Sequence, residues 1–219
     1  MKFKGQFRTA LLAGCASLAM AGTACAMDWS GLYLGVNGGG GVANDRSSNY
    51  YGAIDTQDWG GLLGGTAGFN WQVGPNVVVG AEGNMDWAGL DTDSGDTFGG
   101  YYRHKAEWNW LATVRGRAGI AVDEALFYAT AGIAFAGVHN TFCYHPNCDA
   151  NSNNARSDSS KVGFAGGAGV EFAVDDQMTL NFSYLFVGLP TTKAHRVNGD
   201  PINFDSSANL GMVGLNWHL

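Results

Sequence analysis

Between Asn76 and Trp87 the chain reads NVVVGAEGNMDW, with Val77, Val79, Ala81, Met85 and Trp87 falling on one side and Glu82, Asn84 and Asp86 on the other. Side chains of a strand alternate faces, so this pattern describes a β-strand with one apolar and one polar face. The same alternation recurs at 32–42, 59–73, 107–122, 125–138, 162–174, 178–187 and 208–219, which makes eight segments. Each is long enough for the roughly 9 to 11 residues a tilted strand needs to cross a bilayer. In WGGLLGGTAGFNWQV, for instance, Leu63, Ala67, Phe69, Trp71 and Val73 stand opposite Thr66, Asn70 and Gln72. In the fourth segment Trp108, Trp110, Ala112, Val114, Ala118 and Ile120 stand opposite Glu107, Asn109, Thr113, Arg115 and Arg117.

The connections have their own rhythm. Segments 73–76 (VGPN), 122–124 and 174–176 are tight turns of Gly, Pro, Asn and Asp, whereas 44–58, 88–104, 139–160 and 189–206 are long and polar. Short turns at one end and long loops at the other are the connection pattern of an outer-membrane barrel. A soluble up-and-down barrel has the opposite lining, apolar inside and polar outside, and period 2 alone does not separate the two. The aromatic residues do. Trp59, Trp87, Trp108 and Trp110 gather near the long connections, and Trp71, Phe127, Phe172 and Trp217 near the short turns, as two interfacial girdles would. Only 14% of residues are charged, against about 25% in soluble domains. The expected fold is therefore all-β, an eight-stranded antiparallel transmembrane up-and-down β-barrel.

The N-terminus fits that location. Lys2, Lys4 and Arg8 precede an apolar run from Thr9 to Gly22, and Ala24-Cys25-Ala26 is a small-x-small cleavage pattern. The expectation is a cleaved signal peptide at 1–26 and a barrel domain at 27–219. A lipoprotein reading of Leu12 to Cys15 would leave an apolar run of only about five residues, too short for a signal core. Cleavage removes three bases and no acid, taking the net charge from −7 to −10, which argues against nucleic-acid binding. No later stretch of about 20 apolar residues suits a transmembrane helix.

Arg115 and Arg117 share a face of the fourth segment. The interior of an eight-stranded barrel is just wide enough to be filled by side chains. Counted from the short-turn end, Glu82 and Glu171 stand at matching heights, so the two arginines are expected to meet them inside. With Asp86 and Glu107 these residues form the expected polar lumen network, a structural plug. The alternative is the charged constriction of a narrow diffusion pore.

DWSGLYLGVNGGGG (28–41), GGTAGFNWQ (64–72), VVGAEGNMDW (78–87), TVRGRAGIA (113–121) and GGAGVEFAV (166–174) resemble the small porin-like outer-membrane β-barrel family of alphaproteobacteria, of the opacity or surface-antigen type. The resemblance covers nearly the whole chain after residue 26. It implies a barrel inserted by the outer-membrane assembly machinery with periplasmic chaperones, surrounded by lipid and lipopolysaccharide, and tied to envelope integrity. Some members bind hemin or host surfaces. Members commonly end in Phe where this chain has Leu219, and the Cys143/Cys148 pair is not a family feature.

Cys143-Tyr-His-Pro-Asn-Cys148 lies in the longest connection, in an oxidising compartment where a disulfide is the default for two near cysteines; metal ligation by the pair with His145 is the weaker reading. His104, His139, His145 and His195 fall in or beside the long connections, and neutral imidazole ligates heme iron or transition metals, so a hemin or metal receptor is the second functional reading. Asp91, Asp93 and Asp96 resemble the start of a calcium loop, but Tyr102 stands where the closing Glu belongs. The glycine runs at 38–41 and 163–169 carry no Lys-Ser/Thr of a phosphate loop. No G-x-S-x-G or H-E-x-x-H motif is present, and no enzyme is expected. The first functional reading is an outer-membrane barrel with a structural or surface-interaction role, long loops extracellular, termini periplasmic and no resident cofactor.

Overall fold

In the computed structural model residues 27–49, 52–93, 102–144, 155–195 and 201–219 are described. The segment 1–26, His145 and Cys148 lie outside them. Eight strands follow one another: β1 (Gly31–Asn49), β2 (Gly52–Gln72), β3 (Val77–Asp93), β4 (Tyr102–Val122), β5 (Ala125–Tyr144), β6 (Ala155–Ala173), β7 (Met178–His195) and β8 (Pro201–His218). Each pairs antiparallel with its chain neighbours, and β1 closes on β8 from Tyr33↔His218 to Ser48↔Asn203, giving a closed barrel. Closure leaves no strand edge in lipid, where an unpaired backbone group has no water to bond.

The short turns are tight for local reasons. Between β4 and β5, Asp123 adopts a φ of 54°, a left-handed conformation that Asp tolerates better than most residues. Between β6 and β7 the Asp175 carboxylate accepts the amides of Gln177 at 2.9 Å and Met178 at 2.7 Å. Towards the other end the strands run further than the alternation indicated, and much of 44–58, 88–104, 139–160 and 189–206 is paired strand. Above the membrane both faces of a hairpin meet water, so the ladder continues without the polarity alternation that marks it in sequence.

The β6–β7 ladder is the shortest, ten pairs from Phe164↔Gly188 to Ala173↔Thr179. At about 2.6 Å of height per tilted residue, the nine steps between ten pairs span about 23 Å, close to an apolar band of about 25 Å. Beyond it Pro190, which has no N–H to give to a ladder, follows directly, and the β7–β8 register shifts between Leu189 and Thr192. The outer wall over this height is apolar and exposed: Leu34, Val36, Leu63, Met85, Val114, Ile133, Phe164 and Val213 all face outwards.

Beside the expected polar network the interior holds two apolar layers. Its polar residues concentrate in the middle, with Lys161 and Ser206 buried towards the long connections and Asn70 and His218 towards the short turns. Nearer the long-connection end it is filled by Leu62, Leu90, Trp108, Leu111, Leu185, Leu189, Leu210 and Met212 with small alanines between them. At the short-turn end Trp29, Val78, Ala121, Leu126 and Tyr128 form a second apolar layer.

Trp108 is also a correction, because it is only 1% exposed, inside the barrel, while Trp59 and Trp87 of the outer girdle are 81% and 76% exposed. Both ladders of β4 shift register here, β4–β5 between Trp108 and Trp110. The extra residue, exposed Asn109, reverses which face the following positions occupy.

Candidate functional site

The polar middle layer begins with two adjacent rows of β4. Arg115 stands directly across the ladder from Glu82. Its Nη2 lies 2.9 Å from Glu82 Oε1 and donates to Asn84 Oδ1 at 2.6 Å. Two residues on, Arg117 donates through Nη2 to Glu171 Oε2, and its Nη1 donates to the Tyr33 hydroxyl at 3.2 Å and lies 3.8 Å from Glu82 Oε2. The Tyr33 hydroxyl in turn donates to Glu82 Oε2 at 3.0 Å. The Arg117 guanidinium carbon sits 3.8 Å from the centre of the Tyr128 ring and 5.7 Å from that of Tyr33, a cation between two aromatic faces.

Glu171, fully buried, is the far anchor. Its Oε1 accepts from Thr179 Oγ1 and from Asn216 Nδ2 at 2.7 Å, and His218 Nε2 stands 3.6 Å away. Asp86 accepts from Asn37 Nδ2, while Asn37 Oδ1 accepts from Thr66 Oγ1 at 3.0 Å and Asn84 Nδ2 at 3.4 Å. Residues from all eight strands take part: Asn181 of β7, for example, donates to the Tyr128 hydroxyl of β5 at 2.7 Å.

The two tyrosines are seated by glycine. Tyr33 faces Gly68 across β1–β2, and Tyr128 faces Gly169 across β5–β6. A Cβ on Gly169 would stand 2.6 Å from Tyr128 Cζ, so only a bare backbone lets the ring lie flat against the wall.

This arrangement leaves little free space. A cavity of about 30 Å³ lies among Glu82, Asn84, Arg115, Asn181 and Asn216, enough for one or two waters and too small for a solute. The apolar layers above and below bracket the charged groups, so each charge depends on its protein partner. Removing one partner of such a buried pair costs about 3 to 5 kcal/mol. The arrangement holds opposite walls of the barrel together.

At the short-turn end Trp29 covers the lumen. Its amide donates to Gln72 Oε1 at 3.3 Å and the Gln72 amide donates to Ser30 Oγ at 3.1 Å. Asp28 beside it is exposed, and the Ser30 amide donating at 2.9 Å holds its carboxyl below the usual value.

Of the residues singled out from sequence, Glu82, Asp86, Arg115, Arg117 and Glu171 lie together in this layer. Glu107 pairs in backbone register with Asp91 and His139, but its side chain lies outside the description. His104 pairs with Phe142 and His139 with Glu107, three steps apart on neighbouring strands, an odd offset that places the two residues on opposite faces of the ladder. His195 ends β7 opposite Pro201, Cys143 pairs with Arg103, and their side chains, like all of His145 and Cys148, are outside the described residues. Sequence reasoning missed Tyr33, Tyr128, Asn37, Thr179, Asn216 and His218. A usable signal existed for the tyrosines, since each occupies the polar phase of its strand.

Comparison with known proteins agrees with this architecture. A family model described as the outer membrane protein beta-barrel domain matches residues 8–213. The 31 kDa outer-membrane immunogenic protein of Brucella melitensis is 32% identical over 206 residues, covering 86% of this chain and 83% of that protein. The 22 kDa outer membrane protein of Rhizobium leguminosarum is 32% identical over 162 residues, covering 72% of this chain and 63% of that one. Among solved structures, the outer membrane protein OprG of Pseudomonas aeruginosa superposes with a TM-score of 0.58 at 16% identity, over 87% of this chain and 96% of that one, a likeness of fold.

Proposed function

The chain belongs to the outer membrane protein β-barrel family, and from that premise we propose that it is a closed, non-conducting and non-catalytic wall element of the outer membrane whose long hairpins meet the exterior. The observation that carries this reading is the filled lumen: Arg117 is held by Glu171, Glu82 and Tyr33 at mid-height, with apolar layers on both sides. A barrel whose interior is a core has its outside left to work with. That outside is a lipid-facing wall and the hairpins beyond it. The short turns and both ends of the barrel chain then face the periplasm, as short turns do in this class of barrel.

Deletion of the gene in the parent bacterium, with complementation by full-length protein, tests the role. The expected results are sensitivity to detergent and bile salts in the deletion strain, and labelling of cysteines placed in the β1–β2 hairpin by a membrane-impermeant reagent on intact cells. An unchanged envelope together with hairpins labelled only after lysis would remove both parts of the proposal. The hemin reading rests on histidines at the rim, and a single iron ligated by both His104 and His139 is disfavoured by their opposite faces.

A further inference from the structure

Charges beyond the lipid-facing wall are sorted by strand. On the long-connection side of Trp59 and Trp87, the neighbouring strands β8, β1, β2 and β3 carry Asp205, Asp55, Asp91 and Asp93 on the outward phase of their ladders against a single base, Arg46, while Asp45 and Asp58 share the phase of buried Ser206 and Ala43. Strands β4 to β7 carry Arg103, Lys105, Arg156 and Lys193 against Glu107 and Asp158, with Lys161 buried and left aside. The barrel order makes each set contiguous. Among the described strands one arc of the rim is therefore acidic and the opposite arc is basic, in a chain that is acidic overall.

We propose that these arcs are the two halves of a lateral contact between copies of this chain, the acidic arc of one barrel meeting the basic arc of the next. Three physical points favour a second copy over other occupants. A polyanion, such as the phosphates of lipopolysaccharide, would suit the basic arc and be repelled by the larger acidic one. A divalent cation would suit the acidic arc alone. A second barrel satisfies both, and the bilayer holds all copies upright at one height, so the arcs meet level without further alignment. The contact joins unlike surfaces, so it repeats around the barrel and builds rows or rings in the membrane plane. It is also salt-sensitive, because attraction between charges beyond the membrane is screened over about 8 Å at physiological ionic strength. Surface ion pairs are individually weak, so the association is dynamic and orients neighbours rather than locking them.

Energy transfer between donor- and acceptor-labelled barrels, inserted into vesicles of zwitterionic lipid free of lipopolysaccharide, tests this. Wild-type protein is expected to give transfer above the level of randomly placed barrels, falling at least about threefold in excess signal at 0.5 M salt. The variants Asp55→Lys/Asp91→Lys/Asp93→Lys and Arg103→Glu/Arg156→Glu/Lys193→Glu, each checked for folding by its heat-dependent gel shift, should each fall to the random level alone. Mixed one to one, with one variant as donor and the other as acceptor, they should recover transfer, since one now has two basic arcs and the other two acidic arcs. Random-level transfer by the wild type, excess transfer that survives both reversals, or failure of the mixture to recover would each overturn the proposal; the second would place the contact on the lipid-facing wall instead.

Discussion

Removing the Arg117 guanidinium while leaving Glu171 in place probes the lumen most sharply. In Arg117→Met the methionine fills much of the same volume, but Glu171 loses its guanidinium and keeps Thr179 and Asn216 as donors, with His218 3.6 Å away, in a site with no exposure. An orphaned buried charge costs about 3 to 5 kcal/mol. The lost stacking on Tyr128 at 3.8 Å adds about 1 to 2 kcal/mol. The sum, about 4 to 7 kcal/mol, rivals the whole stability of a typical domain. The companion variant Arg117→Met/Glu171→Leu removes both charges, leaves Arg115 with Glu82, and should recover at least about 2 kcal/mol relative to Arg117→Met, because an ion pair replaced by apolar groups costs far less than one broken. Urea unfolding of vesicle-inserted barrels followed by tryptophan fluorescence measures both. If Arg117→Met lost under 1 kcal/mol, or the double variant were no more stable than it, the reasoning that this pair braces the barrel would be refuted.

Other consequences are separately measurable. Gly169→Ala drives a methyl against the Tyr128 ring and should lower stability by about 1 to 3 kcal/mol in the same unfolding assay, with part of the loss recovered in Gly169→Ala/Tyr128→Leu. Trp29→Ala empties the short-turn cap and should cost about 3 to 5 kcal/mol, with faster proteolysis of the N-terminal residues. A protein whose only tryptophan is Trp108 should resist quenching by brominated lipid, whereas one retaining only Trp87 should be strongly quenched; equal quenching would mean that the bulge at Asn109 is wrongly placed.

How much of this was readable in the sequence depends on what each residue touches. Alternation marks a strand wherever one face meets lipid and the other does not, which is why all eight strands were visible over the height of the membrane. It fades where both faces meet water, so the upper halves of β1, β2, β5 and β6 read as loops. The carboxylates opposite the arginines were found by counting from the turns, since register in an up-and-down barrel follows from turn position. The face of Trp108 was not, because one bulged residue leaves an apparently unbroken pattern when Trp108 and Trp110 are both aromatic and Glu107 and Asn109 both polar. Tyr33 and Tyr128 were overlooked because aromatic residues in a membrane strand suggest lipid; each glycine across the ladder marked the ring as one needing room.

Single-channel recording of the refolded barrel in planar bilayers tests the central claim, that the lumen is a packed core. The structure predicts a silent bilayer, with no steps at any voltage the membrane withstands, because charged groups fill the mid-plane and apolar layers close both sides. Reproducible conductance steps, altered in size or ion selectivity by Arg115→Ala, would show a water path through that layer and contradict the account.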